Sequence, residues 1–215
     1  MNIVKICDEH SVDTSILNLN GFVLDLGCLG FGFSKEIKKY VANVICVDPN
    51  PNIEIIPSDV LYENKAIISN KNIDKIRYNI FNDKSGNSLL TSNKDWCIYE
   101  KFIEVQTTTI EDLMSKYDVQ QFELIKIDIE GYEYELLKNF NWKISKQYTI
   151  EFHDFRGLNP YYPNDQKYYD ELIEQMSPYC DTITHNATHH PGFPYGRGFN
   201  YWDSLFILKK EYWKI

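Results

Sequence analysis

FVLDLGCLGFGFSKEIKKYVANVICVD, residues 22–48, contains the smallest unit that decides the fold. FVLDL (22–26) is a continuous apolar run closed by an acid and a leucine, and GCLGFG (27–32) is a glycine-rich turn. SKEIKKY then has helical spacing, with Ser34 in position to cap it, and VICVD (44–48) is a second apolar run ending in Asp48 and punctuated by Pro49 and Pro51. Strands buried on both faces read as unbroken apolar runs, so this is a βαβ unit of a parallel sheet.

The same grammar extends outward. KAIIS and KIRYNIF, between 65 and 81, are short strand candidates, and NDKSGNS (82–88) is a loop. TIEDLMSKY (109–117) is a helix with Thr109 and Asp112 spaced for a capping box. ELIKIDIE (123–130) is the best central strand and turns directly into a helix, and YTIEFH (148–153) is another strand. QKYYDELIEQM (166–176) is amphipathic, and DTITH (181–185) and YWDSLFIL (201–208) are strands joined by a loop alone. Alternating strands and helices that end in two consecutive strands predict an α/β, doubly wound, mostly parallel sheet with a reversed C-terminal strand. With 215 residues and no linker or repeat, one domain spanning 1–215 is expected.

Composition narrows the function classes. The formal charge is −9, and no basic stripe offers the phosphate contacts that a nucleic-acid binder needs. Lys35, Lys38 and Lys39 read as a solvated helix face. A small-molecule partner is expected, with no nucleic acid and with self-association left open. No apolar run reaches the ~20 residues of a membrane span, and the N-terminus meets charge too early for a signal peptide. Five scattered cysteines without a CxxC pair fit reduced thiols in a cytoplasmic protein. The 16 Tyr and 12 Phe exceed what a minimal core uses, which leaves aromatic rings for a ligand cleft or for surface packing.

Open α/β sheets bind ligands at the carboxyl ends of their strands. Gly27, Gly30 and Gly32 let a backbone approach a cofactor, and Asp48, 21 residues after Gly27, is placed to accept bonds from ribose hydroxyls. That pattern fits a dinucleotide or S-adenosylmethionine, although the glycine spacings of three and two depart from GxGxxG.

LIKIDIEGYEYEL (124–136) resembles the FkbM family of S-adenosylmethionine-dependent O-methyltransferases, which carries K-I/V-D-V/I-E-G followed by a helix; Lys126, Asp128, Glu130, Gly131 and Glu133 occupy those places. VLDLG (23–27), VDPNP (47–51), NKAIISN (64–70), TTTIEDLM (107–114) and IEFH (150–153) match further family motifs in order. Where the family has D-x-G-A-N-x-G, this chain has Leu29 and Phe31 in place of Asn and Gly. The resemblance implies a Rossmann-like, seven-stranded class I methyltransferase fold and S-adenosylmethionine as cofactor, held by Asp25, Gly27, Cys28, Gly30, Asp48, Pro49 and Asp128. It also implies O-methylation of a sugar or nucleotide-linked sugar in surface polysaccharide biosynthesis. A nicotinamide oxidoreductase and a non-catalytic binding protein are the alternatives.

Methyl transfer to oxygen needs alignment and a group to take the hydroxyl proton. In an extended strand Lys126, Asp128 and Glu130 share one side, as do Glu151 and His153. His153, whose pKa lies near neutrality with little tuning, is the expected base; Asp128, Lys126 and Glu151 complete the catalytic set. Two loops, 154–165 and 186–200, are expected to face substrate. With Glu130, the expected binding residues there and beside them are Arg156, Tyr161, His185, His189 and Arg197, with Tyr162, His190 and Tyr195 on the same rim. Neither the late histidines nor Asp128, Glu151 and His153 have metal-specific spacing, so no metal ligand is assigned and a divalent ion stays open.

Overall fold

The computed structural model describes residues 1–7, 10–53, 55–82, 84, 87–89, 98–153, 165–189 and 200–214. In chain order, strands β1 (Ile3–Ile6) and β2 (His10–Asp13) precede β3 (Phe22–Leu26), helix α1 (Gly32–Ile37) and β4 (Asn43–Val47). Strands β5 (Leu61–Glu63), β6 (Ala66–Ile67), β7 (Lys75–Phe81) and β8 (Tyr99–Thr108) follow. Helix α2 (Ile110–Tyr117), β9 (Leu124–Ile127), α3 (Glu133–Leu137), β10 (Gln147–His153), α4 (Asp165–Met176), β11 (Cys180–His189) and β12 (Asn200–Leu208) complete the order.

The main sheet has seven strands in the order β11-β12-β10-β9-β3-β4-β5, parallel except for β12, which runs antiparallel to both neighbours. It is the Rossmann-like arrangement with a reversed C-terminal strand. From β3 the chain moves outward through β4 and β5, then returns to place β9 on the other side of β3. The order reverses at β3 and β9, and that is where an open α/β sheet leaves a ligand crevice.

Side-chain alternation divides the core between two faces. Leu24, Leu26, Ile45, Val47, Ile125 and Ile127 pack on one side with apolar residues of α2, α3 and α4. Val23, Val44 and Leu124 point to the other, where α1 and the β1–β2 hairpin cover them through Phe33, Ile37, Ile6 and Val12. The capping box at Thr109 and Asp112 forms as its spacing predicts. Ser34 does not cap α1. It lies inside the helix, fully buried, and its hydroxyl donates to Asp25, while Phe31 takes the capping position with φ 56°.

KAIIS and KIRYNIF do form strands, but in a separate three-stranded sheet, β6-β8-β7. The predicted final strands begin earlier or run longer than expected, because 182–189 and 200–207 pair as one antiparallel ladder. His189 therefore belongs to edge strand β11 and not to the loop in which it was expected, and His185, expected at the end of a strand, lies within that same strand. No helix among the described residues is long and apolar enough to cross a membrane.

Candidate active site

Adjacent strands place a row of polar groups on the α1 face, just below the carboxyl ends. Cys46, Asp25 and Lys126 stand opposite one another in register, and Thr149 continues the row on β10. All four are buried. Such a row is costly unless its members pair. Lys126 Nζ stands 3.4 Å from Asp25 Oδ1 and 3.1 Å from Asp128 Oδ2, and donates to the Gly27 carbonyl at 2.6 Å. Burial opposes the ammonium, yet Asp128 and Asp25 keep it firmly charged. Burial likewise opposes the Asp128 carboxylate, and Lys126 and His153 hold its pKa below the ordinary value.

Above this row lies a cleft of about 280 Å³ with an open mouth. Asp25, Gly27, Cys28, Asp48, Pro49 and Asp128 all line it, as does Glu130. The acids expected from separate motifs thus converge on one crevice. Gly30 has φ 75° and nothing within 4 Å of a built Cβ, but it stands outside the lining. Gly27 is the closer constraint: with φ 79°, a Cβ there would stand 1.7 Å from the carbonyl oxygen of Asp128. Only glycine lets β3 and β9 approach this tightly at the switch point.

Asp48 directly follows β4 and lines the cleft, 5% exposed, and its Oδ1 accepts from the Asn50 amide at 2.8 Å. Burial raises its pKa from 3.8 to about 6, and Asp25 and Asp128 push the same way against Asn50 and Lys126. A half-satisfied buried carboxylate at a strand tip fits the acceptor that ribose hydroxyls need.

β9 ends at Ile127, so the alternation expected for Lys126, Asp128 and Glu130 stops early. Glu130 adopts φ 57° and Gly131 φ 99°, which turns the Glu130 side chain toward His153. That ring is 3% exposed, with Nδ1 3.2 Å from Glu133 Oε1. Nε2 is 3.8 Å from Asp128 Oδ1, 3.8 Å from Glu130 Oε1 and 3.9 Å from Glu151 Oε1. Burial disfavours the imidazolium, but Glu133, Glu130 and Glu151 outweigh it and push the pKa up to about 10. The expectation of a near-neutral His153 is not met, because its carboxylate surroundings keep it protonated.

Further lining residues include Ala66 and Ile67 of the NKAIISN motif and several that lie in no motif. The three-stranded sheet and the segment after β7 supply Ala66, Ile67, Tyr78, Asn87 and Leu89 as the far wall, and Ser88 Oγ ties that wall to the Glu130 carbonyl at 2.8 Å. The N-terminal hairpin adds His10 and neighbouring Cys7. His10 is 2% exposed, with Nδ1 3.7 Å from Asp203 Oδ1 and its ring edge-on to Phe33. Asp203 is itself fixed by the Ser11 amide at 3.2 Å and by Lys5 at 3.1 Å. Neither IVKI nor HSVD alternates cleanly, so no local pattern marks this hairpin.

Arg156, Tyr161, Tyr162, His190, Tyr195 and Arg197 lie outside the described residues, as do most of the two expected substrate loops. The backbones of His185 and His189 are described, on an edge strand separated from β9 by β12 and β10. At ~4.8 Å per strand, that is roughly 14 Å from the strand that carries Asp128.

The sequence profile of the methyltransferase FkbM domain matches residues 32–181. No curated protein matches the sequence significantly. Among solved structures, precorrin-6y C5,15-methyltransferase from Geobacter metallireducens is 9% identical, covering 89% of this chain and 82% of that one, with a TM-score of 0.44. A dimethyladenosine transferase from Plasmodium falciparum is 10% identical over 91% of this chain and 58% of that one, TM-score 0.47. A Streptococcus mutans protein in complex with SAH is 12% identical over 91% of each chain, TM-score 0.39. The family span takes in more than two thirds of the sequence, and the chain belongs to the FkbM family of S-adenosylmethionine-dependent methyltransferases.

Proposed function

We propose that this methyltransferase transfers its methyl group to a hydroxyl of a small polar acceptor, a sugar or nucleotide-linked sugar of a surface glycan. The convergence of Asp25, Asp48 and Asp128 on one cleft, with Gly27 at the sheet's switch point, carries the proposal. S-adenosylmethionine, when bound, supplies an electrophilic methyl group on a sulfonium. The residues present fit that cofactor: Asp48 can hold its ribose hydroxyls, Gly27 leaves room for close backbone approach, and the acidic floor favours a cationic ligand. Asp128, Glu130, His10, Tyr78 and Phe33 also line the cleft and mix hydrogen-bonding groups with rings, as sugar binding requires. In this reading Asp128 and Glu130 orient the acceptor hydroxyl.

Incubation of the protein with S-adenosylmethionine and a panel of hydroxylated sugars and sugar nucleotides tests the assignment. A product heavier by one methyl group is expected in mass spectrometry. Transfer to a nitrogen or carbon acceptor instead would refute O-methylation, and cofactor binding without transfer to any acceptor would favour a non-catalytic role.

Asp48 gives a sharper test of the cofactor end. An acid whose folded pKa is about 6, against 3.8 for the free side chain, binds its proton more tightly in the folded chain. Its contribution therefore favours folding below about pH 4 and is lost as pH rises through about 6. Asp48→Asn is expected to stabilise the apoprotein at pH 8 by about 1–3 kcal/mol, from the size of that displacement, and to leave stability near pH 4 unchanged. The same variant should bind S-adenosylmethionine about 10- to 100-fold more weakly, the worth of one or two charge-assisted hydrogen bonds. Denaturation curves at the two pH values and calorimetry read both effects; undiminished cofactor affinity would remove Asp48 from the ribose site.

A further inference from the structure

We infer that His10 is the general base that takes the proton of the acceptor hydroxyl, held in its Nδ1–H tautomer by Thr149 and Asp203. This inference rests on the O-methylation reading. His153, protonated among its carboxylates, has no lone pair to offer and leaves the role open.

His10 lies in none of the motifs that carry the family resemblance. It reaches the site because β2 packs against β10 and β12. Its Nδ1 faces two oxygens, Thr149 Oγ1 at 3.5 Å and Asp203 Oδ1 at 3.7 Å. Thr149 donates its one hydroxyl proton to Asp203 Oδ1 at 3.1 Å, so it offers Nδ1 a lone pair. Burial opposes the Asp203 carboxylate, yet His10 and Lys5 hold its pKa below the ordinary value. Two acceptors facing one ring nitrogen fix the proton there. Asp203 is itself anchored, because Oδ2 accepts from Lys5 Nζ at 3.1 Å and from the Ser11 amide at 3.2 Å.

With Nδ1 turned toward β10 and β12, Nε2 is the nitrogen left to the cleft that His10 lines, and in the neutral ring it carries the lone pair. His10, Ser11, Thr149 and Asp203 are all buried, where polar groups are costly unless bonded to one another. Charged groups meet the ring from each neighbouring strand. Asp203 comes from β12, with Lys5 of β1 behind it. Glu151 of β10 and Asp128, after β9, each place a carboxylate oxygen within 4.8 Å of a ring nitrogen. Helix α1 contributes Phe33, edge-on at 5.4 Å, and Cys7 lines the cleft between β1 and β2. In the transfer, the hydroxyl oxygen bonds to the methyl carbon as the carbon–sulfur bond breaks, its electron pair passing to sulfur. The hydroxyl proton passes to Nε2, so the positive charge of the sulfonium ends on an imidazolium beside Asp203, Asp128 and Glu151.

Long-range 1H–15N correlation NMR on the apoprotein tests the tautomer, the His10 signals being those missing from His10→Gln. Above its titration the ring is expected to show a protonated Nδ1 and a bare Nε2, and Asp203→Asn to raise the share of the Nε2–H form. A proton on Nε2 with Nδ1 bare overturns the assignment, as does a ring still doubly protonated at about pH 9. Turnover is the second readout, on whichever sugar or sugar nucleotide of the panel gains a methyl group. His10→Gln is expected to lower kcat about 10²- to 10⁴-fold and to erase the fall in kcat toward acid pH, with S-adenosylmethionine affinity kept. Wild-type kcat in folded His10→Gln overturns the base and leaves O-methylation standing. Transfer to no member of the panel, with His10 in the expected tautomer, refutes the O-methylation reading and the base role with it.

Discussion

Gly27→Ala is expected to destabilise the protein by about 3 kcal/mol or more and to remove measurable S-adenosylmethionine binding. The added Cβ would stand 1.7 Å from the Asp128 carbonyl oxygen and 2.8 Å from its carbonyl carbon, both backbone atoms that no rotamer change can clear. Rotation at residue 27 is no escape. Its amide donates to the Val47 carbonyl at 3.0 Å and its carbonyl accepts from Lys126 at 2.6 Å. Asp128, for its part, is tied to the Leu26 carbonyl by its own amide at 3.1 Å. A φ of 79° costs an alanine about 1–2 kcal/mol, and overpacking a tight contact adds about 1–3 kcal/mol. Relief requires β3 and β9 to part at their carboxyl ends, which displaces Asp128 and opens the floor of the cleft. Urea denaturation and calorimetry read the two losses. A Gly27→Ala protein with wild-type midpoint and cofactor affinity would show that the two strand ends are not locked together here.

The elements legible in the sequence share one property: local pattern and tertiary burial agree. FVLDL, VICVD and LIKI are apolar but for one charged residue each, because they become β3, β4 and β9, buried on both faces. The elements that escaped have their cause elsewhere in the chain. β2 reads HSVD, with three polar residues in four, yet all four are buried, because the Ser11 amide bonds to Asp203 and the Asp13 amide to Gln147. Those partners lie 192 and 134 residues away. β8 exposes most of YEKFIE and so shows no clean alternation. The same division holds in the site. Asp25, Gly27, Asp48 and Asp128 sit at strand ends, where sequence order alone gives position, and all line the cleft. His10 joins them only through the hairpin. The environment of His153 depends on left-handed backbone at Glu130, which periodicity along an extended strand cannot represent.

Glu133 is where the largest loss from a single side-chain truncation is expected. It is fully buried, and Oε1 receives three donors: the amides of Ile129 and Gly131 and Nδ1 of His153. Glu133→Ala would leave two loop amides without their acceptor and deprive a buried imidazolium of its closest counter-charge. Breaking one side of a buried, hydrogen-bonded ion pair costs about 3–5 kcal/mol, and the orphaned amides keep the loss at the upper end of that range. Glu133→Gln separates the contributions. Its amide oxygen can still accept from Ile129 and Gly131, so the turn that carries Glu130 should persist at a cost nearer 1–2 kcal/mol, about that of the lost charge in one hydrogen bond. Urea midpoints rank the variants, and hydrogen exchange at Ile129 and Gly131 locates the damage: fast in Glu133→Ala, protected in Glu133→Gln. If Glu133→Ala stays within about 1 kcal/mol of the wild type with both amides protected, the turn holds its shape without this carboxylate. The left-handed path at 130–131 would then come from the backbone and its glycine alone.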